Sequence, residues 1–354
     1  MTSSSDDKIR LIFFPFLRVA AGFIGVYSLL DWWLVIRPGV NQRVDEDIFL
    51  LLLPATLPWI PVLIWLRPRV RLLNLRGKEL FFYLLLAVLV IAPPTTFLQE
   101  YIETATGKLT DLPTISQIAG TTPTKYYRVR QYHVAKEWAQ VEEYTTTANK
   151  SNSFTFHYYI VAPLFDKPGI APPFDTLFSS PEIAVRKETV ERPAERLTGR
   201  LPDSISEKSV VTPRMDSVAG VSSAISQSKV WIGIYYTEKI DKRVGIDEKD
   251  VARRTFLQAS WKDFMEKDFT KAIYLETMSH HSDRKEYEYT LAVSPSPPAG
   301  SVQDLIILEA RWEPFSQRNG NRLIYTLLTF MLGSVIWGFI LLFYELDKTL
   351  LETH

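Results

Sequence analysis

Residues Ile48–Leu98 read IFLLLLPATLPWIPVLIWLRPRVRLLNLRGKELFFYLLLAVLVIAPPTTFL. Two uncharged apolar runs, Ile48–Leu66 and Leu80–Leu98, flank the basic loop RPRVRLLNLRGK. Each run is about 19 residues long, enough for a helix to cross a hydrocarbon core of about 30 Å. A helix at a soluble surface keeps polar residues along its wet side. Neither run does, so both read as membrane spans. The loop supplies Arg67, Arg69, Arg71, Arg76 and Lys78, and short loops rich in Lys and Arg stay in the cytoplasm.

Further out, Leu11–Ile36 and Leu323–Leu346 are also predominantly apolar and long enough to span. The first is too long for a cleavable signal peptide, carries Trp32 and Trp33 at its far end, and precedes no small-residue cleavage site. Between the first two runs only Arg37 and Arg43 stand beside Asp45, Glu46 and Asp47, which places that loop outside. Lys8 and Arg10 keep the amino terminus inside. Arg318 and Arg322 outside the last run, against Lys348 inside, oppose the rule. Long polar segments cross largely regardless of charge, so the short loop decides.

The expected fold is an integral membrane protein with four transmembrane α-helices, three before and one after an inserted α+β extracytoplasmic domain. Its expected divisions are a cytoplasmic amino terminus (1–10), a three-helix membrane region (11–98), a β-rich part (99–165), a disordered or mobile insertion (166–228), an α+β part (229–321), a fourth transmembrane helix (322–346) and a cytoplasmic carboxy terminus (347–354). The expected location is the bacterial inner membrane, with both termini inside.

Within the insert, TTFLQEYIETATG after Pro93-Pro94 reads as a short separate helix, capped by Thr95 and stopped at Gly107. Lys125–Val134, Trp138–Thr147 and Ser153–Phe165 are rich in aromatic and β-branched residues and read as strands. Tyr158 to Val161 is apolar on both faces, so the third should be central. Residues 166–228, rich in Pro, Ser, Thr and charge, hold too few large apolar side chains to offset the cost of ordering. Lys229–Ile240 reads as a buried strand. A helix capped by Asp247 or Asp250 follows to about Phe269, with Leu257, Trp261, Phe264 and Met265 as its apolar stripe. TKAIYLETM, KEYEYTLAV and DLIILEARWEPF read as strands, the second with one wet face because Tyr287, Tyr289, Leu291 and Val293 alternate with polar residues.

The 40 basic and 40 acidic residues balance, which gives no support to a nucleic-acid binder. Absence of cysteine excludes disulfides, thiolate nucleophiles and Cys-type zinc sites. No serine-hydrolase elbow, zincin helix, P-loop or dinucleotide fingerprint is present. His280 and His281 are adjacent and would point to opposite faces of a strand, so no metal and no cofactor is expected. Asn149-Lys150-Ser151 matches a glycosylation sequon, a pattern frequent by chance.

Inside the spans, Arg18 lies at roughly 10 Å depth, and the Leu57 carbonyl, released by Pro61, at roughly 13 Å. Pro54, Pro58 and Pro61 share one helical face. Arg18 either donates to that carbonyl and locks the first two helices, or extends to cytoplasmic headgroups, or serves transport or catalysis. Ala21/Gly25 and Ser334/Gly338 permit close helix contact. The loop residues Arg67, Arg69, Arg71, Arg76 and Lys78 set topology and attract anionic lipid headgroups with the same charges.

The runs LPWIPVLIWLRPRVRLL (Leu57–Leu73), ETATGKLTDLPTISQI (Glu103–Ile118) and TKYYRVRQYHV (Thr124–Val134) resemble an amino-terminal membrane and extracytoplasmic region found ahead of the protease domain in some bacterial rhomboid-family proteins. The resemblance covers most of residues 10–165. A rhomboid-type protease implies a serine in a G-x-S-G turn and a histidine on another span, and the four spans contain neither. The resemblance thus implies an accessory module without proteolysis. The expected function is a non-catalytic accessory, scaffold or sensing subunit that contacts the lipid bilayer and a protein partner in the membrane or periplasm, with oligomeric state left open. The alternatives are a membrane-embedded enzyme and a transporter component.

Overall fold

The computed structural model describes residues 6–36, 51–75, 77–147, 153–168, 207–209, 228–241, 245–278, 282–292 and 301–346. The longer helices are α1 (Asp6–Leu34), α2 (Gly77–Thr106), α3 (Ile246–Glu266), α4 (Ser282–Ala292) and α5 (Arg322–Leu342). The strands are β1 (Leu109–Thr114), β2 (Tyr126–Gln131), β3 (His133–Val134), β4 (Gln140–Thr147), β5 (Ser153–Phe165), β6 (Glu207–Ser209), β7 (Val230–Asp241), β8 (Tyr274–Thr277) and β9 (Ile306–Arg311). They form two compact units, Met1–Gly107 with Pro314–His354, and Lys108–Glu313.

The first unit is helical. Among the described residues three helices are long and apolar enough to cross a membrane: α1, α2 and the segment Phe315–Leu342 that contains α5. The expected second span is not an unbroken helix. Leu53–Thr56 and Trp59–Pro61 are α-helical on either side of a turn at Leu57-Pro58, Val62–Leu66 winds as a π-helix, and Arg67–Val70 is α-helical again. Pro58 and Pro61 each lack the amide that would continue the ladder. The Leu57 carbonyl therefore accepts from the Ile60 N–H at 3.0 Å, a tighter turn. Ile48–Leu50 lie outside the described residues.

The third span and the short helix expected after it are one. α2 runs through Pro93-Pro94 to Thr106, so Thr95 is no cap. Its fully buried Oγ1 donates to the Ile91 carbonyl at 2.7 Å. Prolines inside an apolar helix persist where neighbouring helices and Ser/Thr hydroxyls support the backbone.

Trp337 of α5 anchors this unit. It is fully buried, stacks on Phe16 at 4.0 Å, and its carbonyl accepts from Tyr83 Oη at 3.3 Å. Small residues on α5 bring the helices close. A Cβ on Gly338 would sit 2.6 Å from the Phe13 ring, and one on Gly333 2.7 Å from Val90. The Ser334/Gly338 pair thus packs internally, whereas Ala21 and Gly25 of α1 are exposed. Lys8 Nζ donates to the Leu342 carbonyl at 3.3 Å, and the Asn74 N–H to the Glu345 carbonyl at 3.0 Å. The start of α1, the loop before α2 and the end of α5 therefore meet at one end.

The second unit is a mixed sheet in the order β1-β2-β8-β9-β7-β5-β4-β6, with β3 added beside β5. β1 with β2 and β7 with β9 are parallel, and the remaining pairs antiparallel. β5 has the expected bounds and the expected central place, with Ile160 and Val161 fully buried. Its even residues Phe156, Tyr158, Ile160, Ala162 and Leu164 join Phe256 and Phe264 of α3 in one core. Its odd residues Tyr159 and Val161 join Trp231, Ile307, and Tyr287 and Leu291 of α4 in a second core on the other face. The sheet lies between two helices, a three-layer domain.

Two expectations change here. KEYEYTLAV is not a strand: Lys285–Ala292 belongs to α4. Arg284, Tyr287, Thr290 and Leu291 are buried, spaced i, i+3, i+6, i+7, which is a helix face. Gly245, not Asp247 or Asp250, caps α3, its N–H donating to Glu248 Oε2 at 3.4 Å, and the helix ends at Glu266. Most of 166–228 lies outside the described residues, but Glu207–Ser209 pairs as β6 with Glu143–Thr145 of β4.

Candidate functional site

An α-helix ends with four carbonyls that lack amide partners, and its carboxy terminus attracts positive charge. At α2 those carbonyls meet Arg318. Its Nε donates to the Thr104 carbonyl at 3.1 Å and its Nη2 to the Ala105 carbonyl at 2.9 Å. Nη1 donates to the Phe315 carbonyl at 3.1 Å, and the guanidinium lies 4.2 Å from the Phe315 ring centre. Gly320, at φ 54°, supplies the left-handed turn between Arg318 and α5, a conformation that a side chain resists. At the first residue of α5, Arg322 Nε reaches Glu100 Oε2 at 3.4 Å, and its Nη1 reaches the Arg318 carbonyl at 3.3 Å. The two points where the chain leaves and re-enters the helical unit are thereby clasped together.

The same end of the helices holds a polar band. Tyr27 of α1 hydrogen-bonds the Gln99 side chain of α2 and lies close to Asp31. Gln99 is 1% exposed, Ser28 2% and Asp31 8%. Polar groups on long apolar helices are costly and turn toward other helices, as these do.

Other residues singled out from the sequence lie apart from the clasp. Arg18 is exposed and makes no hydrogen bond among the described residues, so the lock onto Leu57 does not form. Pro54, Pro58 and Pro61 are all buried on their common face. Arg67, Arg69, Arg71 and Lys78 are exposed, and Arg76 lies outside the described residues. The sequon, His280, His281 and His354 also lie outside them.

In the sheet domain the polar groups are occupied structurally. His157 stands between Thr146 Oγ1 at 2.8 Å and Tyr235 Oη at 2.7 Å, stacked on Tyr144 at 4.5 Å. Glu142, fully buried, accepts from Thr290 Oγ1 at 3.0 Å, and Glu143 pairs with Arg253. Arg311 bridges Glu276 and Glu309, each at 2.8 Å. Lys136 caps α3 by donating to the Met265 and Lys267 carbonyls at 2.7 and 2.6 Å; burial lowers its pKa, partly offset by Asp268. The Tyr236 hydroxyl, followed by Lys267, holds the Asp263 carboxyl below the ordinary carboxylate range. Among the described residues no group of three or more His, Asp or Glu side chains could hold a metal.

Sequence reasoning noted Arg318 and Arg322 only as charges on the wrong side. The usable signal was their nearness to the start of α5 and the two glutamates in the last turns of α2, Glu100 and Glu103. No protein-family model, curated protein or solved structure matches this chain.

Proposed function

We propose that this chain is a non-catalytic integral membrane protein whose sheet domain serves a membrane complex as an accessory, scaffold or sensing subunit. The broken helical segment 51–70 is read as a fourth crossing, since its three buried prolines let it pack among the other helices. Both termini and the basic loop are assigned to the cytoplasm of a bacterial inner membrane, and the sheet domain to the far side. The carrying observation is the clasp by Arg318 and Arg322, which joins the two chain connections of the domain at one end of the helices. It also supplies a reason why two arginines flank α5 against the charge rule: they answer helix-end carbonyls and Glu100. Two joined connections suit a domain that holds or receives a partner.

Crosslinking in membranes, followed by mass spectrometry of the solubilised chain, tests this reading. A fixed partner linked through the sheet domain is the expected result, and a chain recovered alone at native abundance refutes it. A second reading, a membrane-embedded enzyme or transporter component, is favoured by the grouping of Tyr27, Asp31 and Gln99. Asp31→Asn separates the two: complex assembly survives it under the first reading, and activity is lost with assembly intact under the second.

A further inference from the structure

We propose that Arg67, Arg69, Arg71 and Lys78 together bind the phosphates of anionic lipids, and are not only an orienting signal. The inference rests on the membrane reading above. Charges that merely orient a chain need number and not shape. Here the shape is fixed. Leu66 and Val70 are fully buried and Leu73 is 2% exposed, so the loop is rooted in the helical core. Leu73 forms a bridge with Leu346, and the Asn74 N–H donates to the Glu345 carbonyl at 3.0 Å. Arg67–Val70 is a helical turn, which sets Arg67 and Arg71, four residues apart, on one side and Arg69 on another.

Arg67, Arg69, Arg71 and Lys78 are exposed, and among the described residues no ion pair or side-chain hydrogen bond engages them. Glu79 is the one acidic residue in the sequence from Arg67 to Glu79. Trp65, 59% exposed, lies two residues away, and its ring suits the headgroup layer. Guanidinium groups bind phosphate oxygens through paired donors, which ammonium groups cannot reproduce. Charge complementarity therefore selects an anionic phospholipid headgroup as occupant.

The test is native mass spectrometry of the full chain in detergent, titrated with phosphatidylglycerol and with phosphatidylcholine. Preferential retention of phosphatidylglycerol is expected. R67Q/R69Q/R71Q should weaken it about a hundredfold, from roughly 1 kcal/mol per cation. R67K/R69K/R71K keeps the charge count, and hence orientation, and should show an intermediate loss. Equal binding of the two lipids, or either triple variant binding as the parent does, overturns the site. Release of the chain from membranes by alkaline carbonate overturns the membrane reading and the site with it, whereas an embedded chain without the preference overturns the site alone.

Discussion

Arg318→Met removes the donors of the clasp while keeping an apolar stem over the Phe315 ring. Two bonds to α2 are lost, at 3.1 and 2.9 Å, both from a charged donor. Such bonds contribute about 1.5–3 kcal/mol each when buried. Arg318 is only half-buried, so water takes over part of the demand and each bond falls to about 1 kcal/mol. Adding a fraction of the roughly 0.3–1 kcal/mol of helix-end electrostatics gives about 2–3 kcal/mol. The loss is local, since Trp337 and the Gly338–Phe13 contact lie farther along α5. Hydrogen exchange of the solubilised chain should therefore speed up by roughly 30- to 150-fold in the last turn of α2 and in 315–322. Peptides covering β5 and β7 should be unchanged. Arg318→Lys, with a single compact charge, should recover part of the protection. A change below about threefold in both clasped segments would refute the assignment.

Gly233→Ala places a Cβ 2.9 Å from the Tyr287 ring, pushing α4 off the sheet; thermal unfolding should show a loss of about 1–3 kcal/mol. Gly338→Ala meets the Phe13 ring at 2.6 Å, and should lower the melting temperature of the solubilised chain by a similar energetic amount, whereas Gly25→Ala, with nothing within 4 Å, should not. Asp263 has a carboxyl held below its ordinary range by Tyr236 and Lys267. Its stabilisation is therefore present above the unfolded carboxylate pKa and disappears as pH falls through the folded value. Asp263→Asn should flatten the fall in melting temperature below about pH 4, and an unchanged profile would contradict this.

The apolar helices and most strands are legible because each announces itself within a short window. β5 shows its bounds through continuous aromatic and β-branched residues. α4 is misread because Tyr287, Tyr289 and Leu291 satisfy a period of two, while the buried set Arg284, Tyr287, Thr290 and Leu291 follows the helix. Pro93-Pro94 suggests a boundary, yet α2 continues past it; Pro58 and Pro61 in the preceding block do interrupt theirs. Local rules give the same sign for both and packing decides. The clasp is illegible for a different reason. Arg318, Lys8 and Lys136 each cap a helix end that lies 129 to 334 residues away in the chain. Backbone carbonyls leave no mark in a sequence, so nothing near those cations reveals their partners.

The place of β9 governs how the domain can be made. It is the last strand among the described residues but stands between β8 and β7 in the sheet. Without it, β1, β2 and β8 form one fragment and β7, β5, β4, β3 and β6 another, with no ladder joining them among the described residues. Ribosomal synthesis must thus reach Arg311 before the halves can unite, and α5 begins at Arg322. Completion of the sheet and emergence of α5 become nearly simultaneous events, and a chain cut short before β9 leaves the two fragments unjoined.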